Sequence, residues 1–80
     1  MKDKHFKQLR IIGLNIAYYR KFQGFSQSKL AEMVDISRTH MSRIETAQCE
    51  VSLHVLFDIC EVLNVDIRDL FICPNNFKRF

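Results

Sequence analysis

Glycine and proline are almost missing from this chain of 80 residues: Gly13, Gly24 and Pro74 are the only ones, and tryptophan is absent. So few turn-formers exclude a strand-rich meander, whose hairpins would each need them. Cysteine is scarce and odd in number. Cys49, Cys60 and Cys73 stand far apart with no CxxC pair, which fits neither a disulfide framework nor a zinc ribbon. Reduced thiols and a cytoplasmic location are the expectation, with Cys60 as a small core hydrophobe. His5, His40 and His54 do not fall at ligand spacing with the cysteines, so no metal is expected. Met1–Lys7 is too polar for the apolar core of a targeting peptide. No apolar run nears the ~20 residues of a membrane span, so no membrane partner is expected. There is no nucleophile–base pair, no paired carboxylates and no glycine-rich phosphate loop. An enzyme and a bound cofactor are therefore not expected.

What is present suits a small binding module. Apolar residues make up 48% and charged residues 26% of the chain, which reads as one globular domain. Folding at this size buries only about 60% of the unfolded surface, which leaves little chain for building a catalytic pocket. Net charge is +3, and its distribution is uneven. Lys2, Lys4, Lys7, Arg10, Arg20 and Lys21 face only Asp3 within the first 21 residues, while the remainder is slightly acidic. Such a cluster is either a solvated helix face or a flank turned toward phosphate.

Helical spacing runs through the chain. Leu9, Ile12, Ile16 and Tyr19 recur at that period from about Phe6 to Phe22, and Gly24 stands where a left-handed residue would close the helix. Ser26 can cap a second, two-turn helix with Leu30, Ala31 and Val34 on one arc. Asp35-Ile36-Ser37 breaks the pattern; Asp tolerates the left-handed region, and Ser37 can cap a third helix from Arg38. A short helix, a three-residue turn and another short helix in succession make a helix-turn-helix. Ser52 can cap a fourth helix, Leu53–Leu63. Leu53, Leu56, Phe57, Cys60 and Leu63 would line one face and Val55, Ile59 and Val62 a second. Two apolar faces imply burial on both sides, by the domain or by a partner chain. Asn64 can close this helix, and Asp66 can open a last one, Ile67–Phe71.

The segment "SRTHMSRIE" of the third helix carries the chemistry. At about 100° per residue, Arg38, Thr39, Ser42 and Arg43 share one arc, and Met41 and Ile44 lie opposite. A thin inward stripe thus anchors a polar outward face. The arginine forks match the O6/N7 edge of guanine or a phosphate, and Thr39 offers a methyl to thymine and a hydroxyl to a base edge or phosphate. Such a helix suits the major groove.

On these residues the chain is identified as a member of a known family. "GFSQSKLAEMVDISRTHMSRIE" resembles the phage repressor and Cro type of helix-turn-helix, the xenobiotic response element family. "SLHVLFDICEVLNVDIRDLF" resembles its fourth and fifth helices. The likeness covers about residues 6–72, so residues 1–72 are expected to form the DNA-binding domain and 73–80 a C-terminal tail open to the dimer contact. It implies an all-α, lambda-repressor-like bundle of five helices and a DNA-binding regulator. By position it implies base contacts from Arg38, Thr39, Ser42 and Arg43. It implies phosphate contacts from Arg20, Ser26, Gln27, Ser37 and Ser52, and a partly buried pair of Arg20 with Glu45. Gln27 would also brace the recognition helix, Arg38–Thr46. The chain departs from the family in having Asp35, Ala47 and Asn64 where glycine is common, so the loop Thr46–Val51 is expected to take a course of its own. "SRTHMSRIE" followed by "SLHVLFDICEVLNV" also resembles the controller proteins of restriction–modification systems.

Partners follow from size. One such helix reads a few base pairs, so a homodimer on a palindromic double-stranded DNA site is expected. Surplus apolar surface places the dimer contact around Val55, Ile59, Val62, Ile67, Leu70 and Phe71, with Phe77 and Phe80 beyond. A repressor, acting on its own gene, is the first expectation, with no small-molecule ligand. The alternatives are an antitoxin or other protein-interaction module in which DNA binding is secondary, or a restriction–modification controller acting as activator and repressor.

Overall fold

A computed structural model describes residues 4–73 and shows five helices: α1 (Phe6–Phe22), α2 (Gln27–Met33), α3 (Arg38–Glu45), α4 (Leu53–Leu63) and α5 (Ile67–Phe71). No strand occurs among the described residues. The all-α, five-helix expectation holds, and each helix after α1 begins where a short polar side chain accepts from its first turn. Ser26 Oγ accepts from the Lys29 amide at 3.0 Å, Ser37 Oγ from His40 at 3.0 Å and Ser52 Oγ from Val55 at 3.1 Å. Asp66 Oδ1 accepts from the Arg68 amide at 2.9 Å. These bonds satisfy amide groups that a helix start leaves open. The Arg68 guanidinium, and then that amide bond, hold the Asp66 carboxyl below the usual carboxylate range.

Four helices end alike. Gly24, Asp35, Ala47 and Asn64 all adopt positive φ, at 80°, 60°, 59° and 57°. At each, the left-handed residue and its successor donate back into the last turn. Gly24 and Phe25 reach the carbonyls of Lys21 and Arg20, and Asp35 and Ile36 reach those of Glu32 and Ala31. Ala47 and Gln48 reach Ile44 and Arg43, and Asn64 and Val65 reach Glu61 and Cys60. This is the Schellman closure, and three of the four following residues, Phe25, Ile36 and Val65, pack onto the core as that motif favours. Ala47 carries the left-handed strain without glycine's freedom. Its methyl is fully buried, which offsets part of that strain.

The longest helix, α1, packs against α5, α3 and α4, and α2 packs against α3 and α4. Ile16, Leu30, Met41, Ile59, Leu63 and Leu70 are fully buried where these helices meet. Two polar groups tie the ends together. Asn15, itself buried, donates from Nδ2 to the carbonyls of Leu70 and Ile72, both at 2.9 Å, and so seats α5 on α1. Gln23 Nε2 donates to the Leu63 carbonyl.

The two stripes expected on α4 divide differently. Leu56, Ile59, Cys60 and Leu63 face the core, while Leu53 and Phe57 stand 61% and 54% exposed. Ile59 and Leu70, expected at a dimer contact, are both fully buried within their own chain and withdraw from that role. The core takes the arc of α4 centred between the two stripes, so one residue of the second joins the inner face and two of the first leave it. Burial, and then the Asp66 and Asp69 carboxylates, raise the Cys60 thiol above its usual range. Phe77 and Phe80 lie outside the described residues.

Candidate nucleic-acid interface

The turn between α2 and α3 is closed from both sides. Asp35 ends α2 in the left-handed region, and two residues later the Ser37 hydroxyl caps α3. Half-buried Ile36 between them packs onto the core. Neither short helix could persist alone at seven and eight residues. Their mutual packing, and the seat that α1 gives α3, hold them.

Met41 and Ile44 point inward, fully or nearly fully buried. Arg38, Thr39 and Arg43 are exposed on the opposite arc and Ser42 is half-buried at its edge. Among the described residues no hydrogen-bond or ion-pair partner holds the guanidinium of Arg38 or Arg43. The one carboxylate of the helix is removed from this face. Glu45, 7% exposed, accepts from Arg20 Nε at 2.7 Å and Nη2 at 3.0 Å, and from Gln27 Nε2 at 2.9 Å. Arg20 spends its remaining fork on the Phe25 carbonyl at 2.8 Å. Arg20 is itself only 7% exposed, so its expected phosphate contact is corrected: the guanidinium is consumed by the ion pair and by the α1–α2 connection. The outer face of α3 is left cationic and rich in donors.

The other expected phosphate groups sit on the surface. Ser26, Ser37 and Ser52 are exposed at three helix starts. Each oxygen accepts a cap bond and keeps its own O–H to donate. Gln27 is half-buried, with one amide hydrogen committed to Glu45 and the other still available. The structure also orders two side chains at the end of α3 that sequence reasoning passed over. Thr46 Oγ1 donates to the Ser42 carbonyl at 2.8 Å, and Gln48 Nε2 donates to Thr46 Oγ1 at 3.0 Å. A Thr four residues after a helical Ser was the available signal. Gly13, in mid-α1, was another signal left unread. Its backbone lies against the carbonyls of Ile44 and Glu45.

No cluster of three or more His, Cys, Asp or Glu suited to a metal occurs among the described residues. No helix of those residues is long and apolar enough to cross a membrane.

Two capped helices joined by a tight turn, with the second one's polar face outward, define a helix-turn-helix domain. The helix-turn-helix family matches residues 16–70, and the chain belongs to it. Among its relatives are the antitoxin PezA of Streptococcus pneumoniae, 37% identical over 60 residues, and the transcriptional regulator SinR of Bacillus subtilis, 36% identical over 61. Each alignment covers 75% of this chain, but only 38% of PezA and 55% of SinR, so the chain spans about half or less of these relatives. The controller protein C.AhdI of Aeromonas hydrophila superposes with a TM-score of 0.77 at 28% identity, over 81% of this chain and 98% of that one. A crystal structure of SinR in complex with DNA superposes with a TM-score of 0.70 at 35% identity, over 76% of this chain and 98% of that one.

Proposed function

We propose that this chain reads a two-fold symmetric DNA site as a homodimer, each copy laying α3 in the major groove. As a member of the helix-turn-helix family, related to SinR and to controller proteins, it is a DNA-binding regulator of transcription. One observation carries the reading: the outer face of α3 presents two unpaired arginines and Thr39, while its only carboxylate is locked inward by Arg20 and Gln27. Arg38 and Arg43 take guanine edges, and Thr39 and Ser42 take neighbouring base edges or thymine methyls. Ser26, Gln27, Ser37 and Ser52 hold phosphates and set the register. The copies meet through Val55, Val62, Ile67 and Phe71, which keep surface, together with exposed Leu53 and Phe57. Occupancy follows protein concentration, without a small-molecule ligand, and the protein acts in the cytoplasm as a repressor of its own gene.

A second reading has a specific observation in its favour. Tyr18 and Phe22 stack at 6.3 Å on the outside of α1, 51% and 77% exposed. With an antitoxin among the relatives, that apolar face supports a role in which a protein partner comes first.

Fluorescence anisotropy with DNA from upstream of the gene, across a salt series, tests both. The expected slope of log affinity on log salt is about −0.9 per phosphate contacted. Arg38→Ala and Arg43→Ala should each lose about 1–3 kcal/mol at that site alone. Weak binding, equal for random DNA and for both variants, would favour the protein-partner reading.

A further inference from the structure

Glycine is a poor helix former, yet Gly13 lies buried in the middle of α1. The reason is visible on α3. A Cβ at position 13 would lie 2.5 Å from the Glu45 carbonyl oxygen, 2.7 Å from that of Ile44 and 2.9 Å from the Glu45 carbonyl carbon. All three are backbone atoms, which cannot swing aside as the tip of a flexible side chain would. The carbonyls belong to the last turn of α3, so α1 meets the end of that helix backbone to backbone. The same end is held twice more. The Glu45 carboxylate is gripped by Arg20 and Gln27. The chain then reverses at left-handed Ala47, whose successor Gln48 donates to the Arg43 carbonyl at 2.8 Å. The opposite end, with Arg38 and Thr39, lies about 10 Å away at 1.5 Å per residue. Both of those side chains are exposed. The helix is therefore fixed by α1 at its C-terminal end, while Ile36 and Met41 seat its start on the core.

We propose that Gly13 is a positioning residue for DNA reading: by admitting α1 against the last carbonyls of α3, it sets the angle at which Arg38, Thr39 and Arg43 meet the bases. A methyl at position 13 must part the two helices there. The Arg20–Glu45 side chains can follow a small shift, but a helix levered from one end changes tilt at the other. Bidentate contacts to base edges depend on that tilt. Phosphate contacts from Ser26 and Ser52 arise on other elements and are more tolerant. Discrimination between sites should therefore fall while general affinity for DNA persists. The inference rests on the reading of α3 as the recognition helix.

The test compares Gly13→Ala with Ile16→Val, a milder change on the same helix that removes core volume and adds no atom between the two backbones. Circular dichroism first sets a temperature at which both are fully folded, with sucrose added if needed, since excluded osmolytes favour the compact state. Affinity for the upstream DNA and for random DNA is then measured, each across a salt series, with Arg43→Ala alongside. The expected result is a fall of about tenfold or more in the ratio of the two affinities for Gly13→Ala, the scale of one lost bidentate contact. The salt slope on random DNA stays unchanged, and Ile16→Val keeps the wild-type ratio. A ratio for Gly13→Ala no lower than that for Ile16→Val overturns the proposal. So does a Gly13→Ala protein that stays unfolded in sucrose, because glycine is then required by the fold alone. If Arg43→Ala leaves the ratio untouched, the reading of α3 itself fails and takes the inference with it.

Discussion

Glu45 ties three helices together. Its carboxylate joins α1 through Arg20 and the start of α2 through Gln27, while its own carbonyl rests on Gly13. Replacing one partner of a buried pair leaves the other charge stranded. Glu45→Ala should therefore cost about 3–5 kcal/mol, an amount that at about 4–8 °C per kcal/mol lowers Tm by well over 10 °C. Gln27→Ala removes a single bond to a charged group and should cost about 1.5–3 kcal/mol at most, since the ion pair survives it. Urea unfolding of the two variants measures both. Equal losses would mean that Arg20 finds another partner and the pair is not what matters. The sequence alone offered Arg20 and Glu45 only as a pair implied by family likeness, and offered Arg20 a phosphate as well. Nothing in the residues themselves decides between those roles. The decision is made by burial, which depends on where α1 lies against α3, and that is a property of the assembled helices.

At the scale of elements, boundaries were the most legible feature, because capping is local chemistry. Ser26, Ser37, Ser52 and Asp66 each begin a helix, and Gly24, Asp35 and Asn64 each end one, where sequence reasoning put them. A hydroxyl or carboxylate reaches only its own first turn, and a left-handed residue closes only its own last turn, so neither needs distant information. Ala47 was less legible because alanine gains little from that conformation. Which stripe of α4 faces inward was not legible at all. Both stripes are apolar, and the choice of Ile59 over Phe57 for the core is made by the helices that pack there. The closing residues also differ in strain, and this is measurable. Gly24, at φ 80°, has nothing within 4 Å of a built Cβ. Gly24→Ala therefore meets no clash and should lose stability through the backbone alone, about 1–2 kcal/mol. Asp35→Gly, at φ 60°, should move in the opposite direction, raising Tm. Thermal melts of both variants check the signs; a Gly24→Ala protein as stable as wild type would show that the turn relaxes to another closure.

For the whole molecule, the decisive quantity is the apolar surface that five helices leave uncovered. Leu53, Phe57 and Phe71 are each more than half exposed, on the two C-terminal helices. Leu53 and Phe57, four residues apart, stand on one side of α4. A small domain gains by covering such surface, and a two-fold contact covers it on both copies at once. Dimerisation also alters recognition. Two linked recognition helices bind a palindrome with the second contact made at high effective concentration, whereas a monomer has only one set of base contacts. Phe57→Lys separates these consequences from folding. Its side chain is outside the core, so the variant should keep the helical content of the wild type and nearly its Tm. In the proposed dimer the added charge would face its own copy across the two-fold contact, and sedimentation should shift from dimer to monomer at micromolar concentration. Affinity for a palindromic site should then fall by about tenfold or more, while a single half-site is bound as before. A Phe57→Lys protein that still sediments as a dimer would remove α4 from the contact. The stacked Tyr18 and Phe22 on α1, another exposed apolar face among the described residues, would then be the next surface to test for the contact between copies. The half-site spacing would change with it, since the two recognition helices would be related by a different axis.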